Sequence, residues 1–418
     1  MKKENSDKDK LIEVEGKYSS QNIKRSVLKK QIIEIFYKEG TKTIAELRDL
    51  CNNSIPTLTA IMGELTQDKW TKKIGIADSK SGRRPAIYGI NPTKGHFVSI
   101  RLSRRRTMIL IYDMLNQPVS ALLELKDGID TSENILQIIK QEVLILLKEV
   151  GLSSKQILGY GITIPGLINM REGMSYSYPL LAQRPLLEIF GDLFEKPIIV
   201  EHDTKAMAIG ELWFGLAKNK FNSLFVNVGS GIGLGQIING DIYRGHTGYS
   251  GEFGHIQMDP DGELCYCGRI GCLETLASGT ALVKKAKEEI SKGKGTKITA
   301  MVNGNINNIK LGIIIAAAHE GDQFSIELLE MAGEHLAKAI SILIHLYNPE
   351  SIIIGGEMAD AKQILIGLIR QKLKKYTMPF LKKETKIQFS GLKESAGLMG
   401  VLPVIMGKVL SIYFDETN

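Results

Sequence analysis

Gly251-Glu252-Phe253-Gly254-His255, followed by Cys265-Tyr266-Cys267-Gly268-Arg269-Ile270-Gly271-Cys272-Leu273-Glu274, is the stretch that decides how this chain is read. Three of the four cysteines in 418 residues gather there with a histidine, spaced His-x9-Cys-x-Cys-x4-Cys. One imidazole and three thiolates complete a tetrahedral zinc set and leave no position open for a catalytic water. His255, Cys265, Cys267 and Cys272 are therefore read as a structural zinc site that pins a glycine-rich loop. A reduced cysteine cluster or a redox pair is the competing reading. The fourth cysteine, Cys51, reads as a small buried residue. Four cysteines are too few for a disulfide scaffold and suit a reducing compartment.

Outward from this loop, residues 97–418 alternate strand-like and helix-like stretches, which predicts an α/β architecture. Strands are expected at 97–102, 108–113, 157–164, 197–200, 223–228, 235–238 and 351–354. Helices are expected at 132–150, 204–216, 280–291, 325–347 and 361–375. The composition, 43% hydrophobic and 24% charged, is that of a globular chain and excludes a disordered or fibrous one. No uninterrupted apolar run approaches the ~20 residues of a membrane span, and Met1-Lys2-Lys3-Glu4-Asn5-Ser6-Asp7 leads into no apolar stretch. Neither membrane insertion nor a secretory signal is expected, and the chain is placed in the cytoplasm, associated with the nucleoid.

The charge is uneven. Residues 1–96 carry 19 Lys/Arg against 12 Asp/Glu, whereas the remaining 322 carry 34 of each, so the whole surplus of +7 lies at one end. Such a surplus suits a segment that meets a polyanion. Residues 1–20 are polar and read as a flexible N-terminus, and residues 21–96 as a DNA-binding domain. From Asn22, a first helix is expected with Ile23, Val27, Ile32, Ile33 and Phe36 as its apolar positions, ending at Gly40. Thr43-Ile44-Ala45-Glu46 has the form of a capping box and starts a short helix. After Cys51-Asn52-Asn53, Ser54 caps a third helix with Pro56 in its first turn and Leu58, Ile61, Met62 and Leu65 buried. This order is that of a helix-turn-helix, whose last helix enters the major groove. Ser54, Thr57 and Thr59 are its candidate DNA contacts, together with Ala60. Ile74-Gly75-Ile76 and Ala86-Ile87-Tyr88-Gly89-Ile90 flank Ser81-Gly82-Arg83-Arg84-Pro85, read as a β-wing with Arg83 and Arg84 at its tip. Arginines there can meet phosphates or a narrow minor groove. Asn91-Pro92 marks the boundary with the body.

The cysteine stretch resembles the signature of the ROK family (repressors, open reading frames, kinases). The resemblance extends to Ile164-Pro165-Gly166, Glu201-His202-Asp203, Asn227-Val228-Gly229-Ser230-Gly231-Ile232-Gly233 and Ile354-Gly355-Gly356-Glu357, in the family's order over about residues 97–418. It implies an actin-like, ribonuclease-H-like body of two lobes with a sugar in the cleft: lobe I at 97–200, completed by about 397–418, and lobe II at 201–396. A winged helix ahead of that body is similar to the family's xylose-, N-acetylglucosamine- and glucose-responsive repressors. Family kinases open the body with a strand and Asp-x-Gly-Gly-Thr. Here Ile100-Arg101-Leu102-Ser103-Arg104-Arg105-Arg106 stands instead, with bulky side chains where backbone must approach phosphate.

The resemblance thus implies a non-catalytic, sugar-responsive repressor of carbohydrate uptake or catabolism genes, with an ATP-dependent sugar kinase as the alternative. It also implies a sugar or sugar-phosphate inducer, operator DNA, and a homodimer or dimer of dimers as partners. The implied sugar residues are His202 and Asp203 from one side of the cleft and Glu252, His255 and Glu274 from the other. His202 stands where the kinases carry Asn, and for Glu201 of the same motif a plain surface charge is the competing reading.

Overall fold

The computed structural model describes residues 20–77 and 84–415. Helix α1 (Ser20–Glu39) stops where Gly40 takes a left-handed φ of 77° and its N–H bonds the Phe36 carbonyl, as a C-terminal glycine cap does. Strand β1 (Lys42–Thr43) leads into α2 (Ile44–Cys51), where Thr43 and Glu46 make the reciprocal capping box. Asn52, also left-handed at 49°, turns the chain into α3 (Ile55–Gln67), whose first free N–H groups are met by Ser54 Oγ through Thr57 N. Leu58, Ile61, Met62 and Leu65 are buried, the expected stripe. Strands β2 (Thr71–Ile76) and β3 (Ala86–Ile90) complete a three-stranded antiparallel sheet in the order β1-β3-β2. Ser81, Gly82 and Arg83 of the wing tip lie outside the described residues, while Arg84 is exposed.

The buried stripe of α1 differs from the expected one. Leu28, Ile32 and Phe36, spaced by four, are buried with Ile33, whereas Ile23 and Val27 are about half exposed. Counting Ile23 and Val27 followed a row about one residue out of register with the one that faces the core, a 100° error on a helix.

The body is built twice on one plan. Strands β4 (His96–Leu102), β5 (Thr107–Asp113) and β6 (Leu123–Leu125) form an antiparallel meander. After α4 (Ile135–Glu149), β7 (Ile157–Ile164) joins β4 in parallel. A small ribbon, β8 (Ile168–Asn169) and β9 (Met174–Ser175), and α5 (Leu186–Gly191) precede β10 (Ile198–His202), which pairs in parallel with β7. Helix α6 (Asp203–Phe214) then crosses to the second sheet, where β11 (Ser223–Val228), β12 (Ile232–Ile238) and β13 (Asp241–Ile242) repeat the meander. Helices α7 (Leu273–Ala277), α8 (Gly279–Ser291), α9 (Lys297–Met301), α10 (Leu311–His319) and α11 (Gln323–Tyr347) follow. Strand β14 (Ser351–Gly355) joins β11 in parallel; after α12 (Lys362–Tyr376) and α13 (Pro379–Glu384), β15 (Lys386–Phe389) joins β14. The orders β10-β7-β4-β5-β6 and β15-β14-β11-β12-β13 are the same topology. This α/β body of two like lobes is the actin-like arrangement the resemblance implied.

Helix α14 (Ser395–Asp415) returns from the second lobe to the first. Ser99 Oγ of β4 bonds the Leu398 carbonyl, and the glycines at 159 and 161 of β7 leave room for Ile405 and Val401. By length and hydropathy α14 is apolar enough to cross a bilayer, although Lys408 interrupts its apolar run. Its apolarity has a local cause: it packs against α6, β7, β4 and α1 at once. One continuous core therefore joins α1–α3 to the body, running from Leu28, Phe36, Leu58 and Trp70 to Phe97, Leu110, Leu402, Leu410 and Phe414. The junction at Asn91-Pro92 is tied down: Asn91 Nδ2 donates to the Lys69 carbonyl and Lys94 Nζ to that of Asp68, 4.9 Å above the Trp70 ring.

Candidate functional site

The ligand atoms of His255, Cys265, Cys267 and Cys272 lie within 4.8 Å of one another. Cys265 Sγ is 3.6 Å from His255 Nδ1, and Cys267 Sγ is 3.6 Å from Cys272 Sγ. That separation is far too long for a disulfide and close to the roughly 3.8 Å edge of a tetrahedron with Zn–S bonds of ~2.3 Å. Burial, reinforced by the neighbouring thiols of Cys267 and Cys265, pushes the Cys272 thiol up to about 12. Three thiolates this close need a cation to ionise together, so the donor set fits a divalent metal. Short bridges, Gln257 with Cys272 and Leu264 with Ile270, close the loop, and Cys272 then begins α7, which carries Glu274.

The turn after β4 brings Arg104 to Tyr266 of this loop, and β10 ends at His202, next to Asp203 near Glu252, so the loop faces the carboxyl edge where open α/β sheets place their ligands. Asp203 opens α6; its Oδ1 accepts from Thr204 N at 2.6 Å and lies 3.5 Å from His202 Nδ1. His202 is the N-cap: its Nδ1 accepts from Thr204 N at 3.2 Å, and burial lowers its pKa, so it is a neutral ring with Nε2 left for a ligand. Glu252 lies near Glu274 of the same loop and near Asp203 at the start of α6, and burial first, then those two carboxylates, raise its pKa. Glu274 holds the second lobe's turn in place, with Oε2 accepting from Ile232 N at 2.8 Å, directly after Gly229-Ser230-Gly231. That turn is anchored from behind: Gly279 N donates to the Gly229 carbonyl and Thr280 Oγ1 to that of Ser230.

Several residues at the cleft were not singled out from sequence. Glu201 is 2% exposed rather than a surface charge, and pairs with Arg244 at 2.7 Å. Lys205, in the same first turn of α6, is buried and donates to the Gly248 carbonyl. Tyr178, near Asp203, accepts from Arg104 Nε at 3.2 Å. Tyr266, between Cys265 and Cys267 of the cluster, places its hydroxyl 3.1 Å from His255 Nε2 and its ring 5.3 Å from the Arg104 guanidinium. Only the side-chain types carried a signal: aromatic and basic groups beside a metal motif.

Between β4 and β5 the chain makes a hairpin turn. Ile129 N and Asp130 N donate to the carbonyls of Ser103 and Arg104. Arg101 is buried, with Nη1 3.8 Å from Glu394 and no hydrogen bond from Nε or Nη1. Arg106 bonds Glu394 and lies 3.9 Å from Glu357 of the opposite lobe. Behind them a cleft of about 310 Å³ is lined by Arg106, Gly312, His319, Glu357, Asp360 and Glu394.

On the amino-terminal unit, the Thr57 hydroxyl is 2.8 Å from Ser54 Oγ and half buried, while Thr59 and Ala60 are exposed; Thr59 Oγ1 donates back to the Ile55 carbonyl. Part of the basic surplus is internally paired, Arg25 and Lys29 both meeting Glu64.

The chain matches the ROK family model over residues 119–407. It is 29% identical to a xylose repressor of Caldicellulosiruptor bescii over 372 residues, 88% of this chain and 92% of that one. Among solved structures it resembles a ROK family transcriptional regulator, a homologue of the E. coli Mlc protein, with a TM-score of 0.77 and 25% identity over 93% of this chain and 98% of that one. A ROK family glucokinase from Streptomyces griseus, solved with glucose and AMPPNP, gives a TM-score of 0.67 and 25% identity, with 99% of its length covering 74% of this chain. Relatives thus include both regulators and kinases, and the chain belongs to the ROK family.

Proposed function

We propose that this protein is a sugar-responsive transcriptional repressor of carbohydrate uptake or catabolism genes, cytoplasmic and nucleoid-associated, acting as a homodimer or dimer of dimers. The observation that carries the reading is the α1–α3 unit: a capped helix-turn-helix with a β-ribbon, fused through one core to a two-lobed body. The xylose repressor aligns along 92% of its own length, whereas about a quarter of this chain has no counterpart in the glucokinase. We take residues 21–96 as a winged helix-turn-helix domain that contacts operator DNA through Ser54, Thr57, Thr59, Arg83 and Arg84. Lobe I comprises 97–200 with 397–418, and lobe II 201–396.

A sugar or sugar phosphate sits between Asp203 with His202 and Glu252 with Glu274. Carboxylates and a neutral imidazole recognise ring hydroxyls by replacing the hydrogen bonds those hydroxyls lose with water. His255, Cys265, Cys267 and Cys272 hold zinc, whose charge neutralises the thiolates and fixes the loop that presents Glu252, His255 and Glu274. With Nδ1 toward the metal, His255 offers Nε2–H to the ligand.

Asp203 and the Gly229–Gly233 turn are also what a kinase would use, but the nucleotide side argues against one. Ser103-Arg104-Arg105 leaves little space for backbone to approach phosphate, and three carboxylates among the residues lining the cleft at Arg106 repel a triphosphate. The test is titration of DNA from the protein's own promoter region with D-xylose, D-glucose, N-acetyl-D-glucosamine and their phosphates. Release by one of them, with no ADP formed from ATP, is expected. Sugar-dependent ADP release at ~1 s⁻¹ or faster would overturn the reading.

A further inference from the structure

We propose that Tyr266 is a built-in competitor for the sugar, held in the effector site by Arg104, and that an effector hydroxyl must displace it. This rests on the sugar site described above. His255 has one nitrogen directed at the cysteine sulfurs and one left over, and the leftover Nε2 already has a partner in the Tyr266 hydroxyl at 3.1 Å. The phenol lies among the same groups as the effector would, with Glu274 and Glu252 as its acidic neighbours and Arg104 as its basic one. A neutral phenol is a close chemical stand-in for a sugar hydroxyl, able both to accept from Nε2–H and to donate to a carboxylate.

The side chain is placed to leave. Tyr266 is 68% exposed, so swinging out returns it to water at little cost in buried area. Its ring meets the His255 ring edge-on at 5.2 Å and the Arg104 guanidinium at 5.3 Å. Arg104 belongs to the β4–β5 turn of the first lobe and is itself fixed by Tyr178, whereas Tyr266 belongs to the zinc loop of the second. The pair is therefore a clasp across the cleft mouth, and displacing the phenol releases one lobe from the other. Arg104, by this account, is a positioning residue that acts through Tyr266.

The test uses the full-length, zinc-loaded protein and two variants, Tyr266→Phe and Arg104→Gln. Calorimetric titration with D-xylose, D-glucose and N-acetyl-D-glucosamine is paired with metal analysis and DNA titration. Removing a competing hydrogen bond of ordinary strength raises affinity by roughly 3- to 10-fold. We expect Tyr266→Phe to tighten the sugar that binds wild type by about that factor, and Arg104→Gln to tighten it less, with zinc content unchanged in both; sugar-free DNA affinity stays unchanged in Tyr266→Phe, which keeps its ring against Arg104, and falls in Arg104→Gln, which opens the clasp. A merely structural role predicts the opposite sign, because damage to the loop weakens binding. Sugar binding to Tyr266→Phe but not to wild type also supports the clasp. Equal or weaker binding by Tyr266→Phe overturns the clasp and leaves the sugar site standing. No binding by wild type or either variant overturns the sugar reading and the clasp with it.

Discussion

His202 has two nitrogens, and the structure gives one of them a role that the sequence did not show. Its position beside Asp203 marked it as a ligand residue, but its Nδ1 is the N-cap of α6 and must stay unprotonated to accept from Thr204 N. Burial lowers its pKa below the ordinary value of 6.5. The unfolded state therefore binds this proton more readily than the folded one, and stability contributed by the neutral ring is present above pH 6.5 and lost as pH falls toward the folded pKa. His202→Asn supplies a capping oxygen that does not titrate. The unfolding free energy of wild type, measured relative to His202→Asn in urea, should fall as pH drops from 7 to 5, by at most about 1.4 kcal/mol per unit. Comparing the two variants cancels the zinc ligands, which both share; a flat difference would mean that the ring does not cap. Asp203→Asn should keep the fold and sugar-free DNA affinity but blunt release, because the amide replaces one accepting oxygen with a donor. Release by sugar at the wild-type concentration would remove Asp203 from the site.

Elements with strong local signals were read almost to the residue: β7 and β11, the capping box of α2, and the Ser54 cap of α3. The errors have a common origin in tertiary context. Nothing local separates the row through Ile23 and Val27 from that through Leu28 and Ile32; burial against Leu410 and Phe414, almost 400 residues away, decides it. The repeated sheet topology was invisible because the two halves share pairing order rather than residues. The spacing of the cysteine loop showed that His255, Cys265, Cys267 and Cys272 could gather, as they do, but said nothing of Tyr266, since the residue between two cysteines is free by spacing alone. Two predictions belong at this scale. Arg83→Ala with Arg84→Ala should weaken operator binding and lower the slope of log affinity against log salt by about 2, one released counterion per lost phosphate contact; an unchanged slope would place the ribbon off the DNA. Cys267→Ser should lose zinc and sugar response while the α1–α3 unit, with its own capped helices and a core against α14, still binds DNA. Retained zinc by elemental analysis would break the assigned ligand set.

At the scale of the whole molecule, α6 links the two ends. It begins at Asp203, and its last turn carries Trp213, whose ring packs edge-on against Tyr37 of α1 at 5.6 Å beneath Lys38 Nζ at 4.5 Å. Along its length it is pressed onto α14: a Cβ on Gly400 would fall 1.7 Å from the Ala206 carbonyl oxygen, and one on Gly210 2.3 Å from that of Ala396. Helices at such close range move as a pair, and α14 also carries α1 through Ser26 Oγ on the Phe414 carbonyl and the Lys30–Asp415 ion pair. With the junction at Asn91 tied down, a shift at Asp203 would reach the α1–α3 unit through these two helices rather than through a loose hinge. A sugar moves the equilibrium only by its differential affinity for the two arrangements, and DNA must change sugar affinity by the same factor. Trp213→Ala removes the contact at the far end of α6 without touching Asp203 or the exposed face of α3. It should leave sugar affinity in the absence of DNA and DNA affinity in the absence of sugar near wild type. The coupling factor between them, ordinarily about 5 to 150 in such systems, should drop below about 3. Measuring it both ways, DNA titrated at saturating sugar and sugar titrated at saturating DNA, gives two values that must agree if both report one equilibrium. Agreement at the wild-type value would show that the signal bypasses Trp213 and runs through α14 alone.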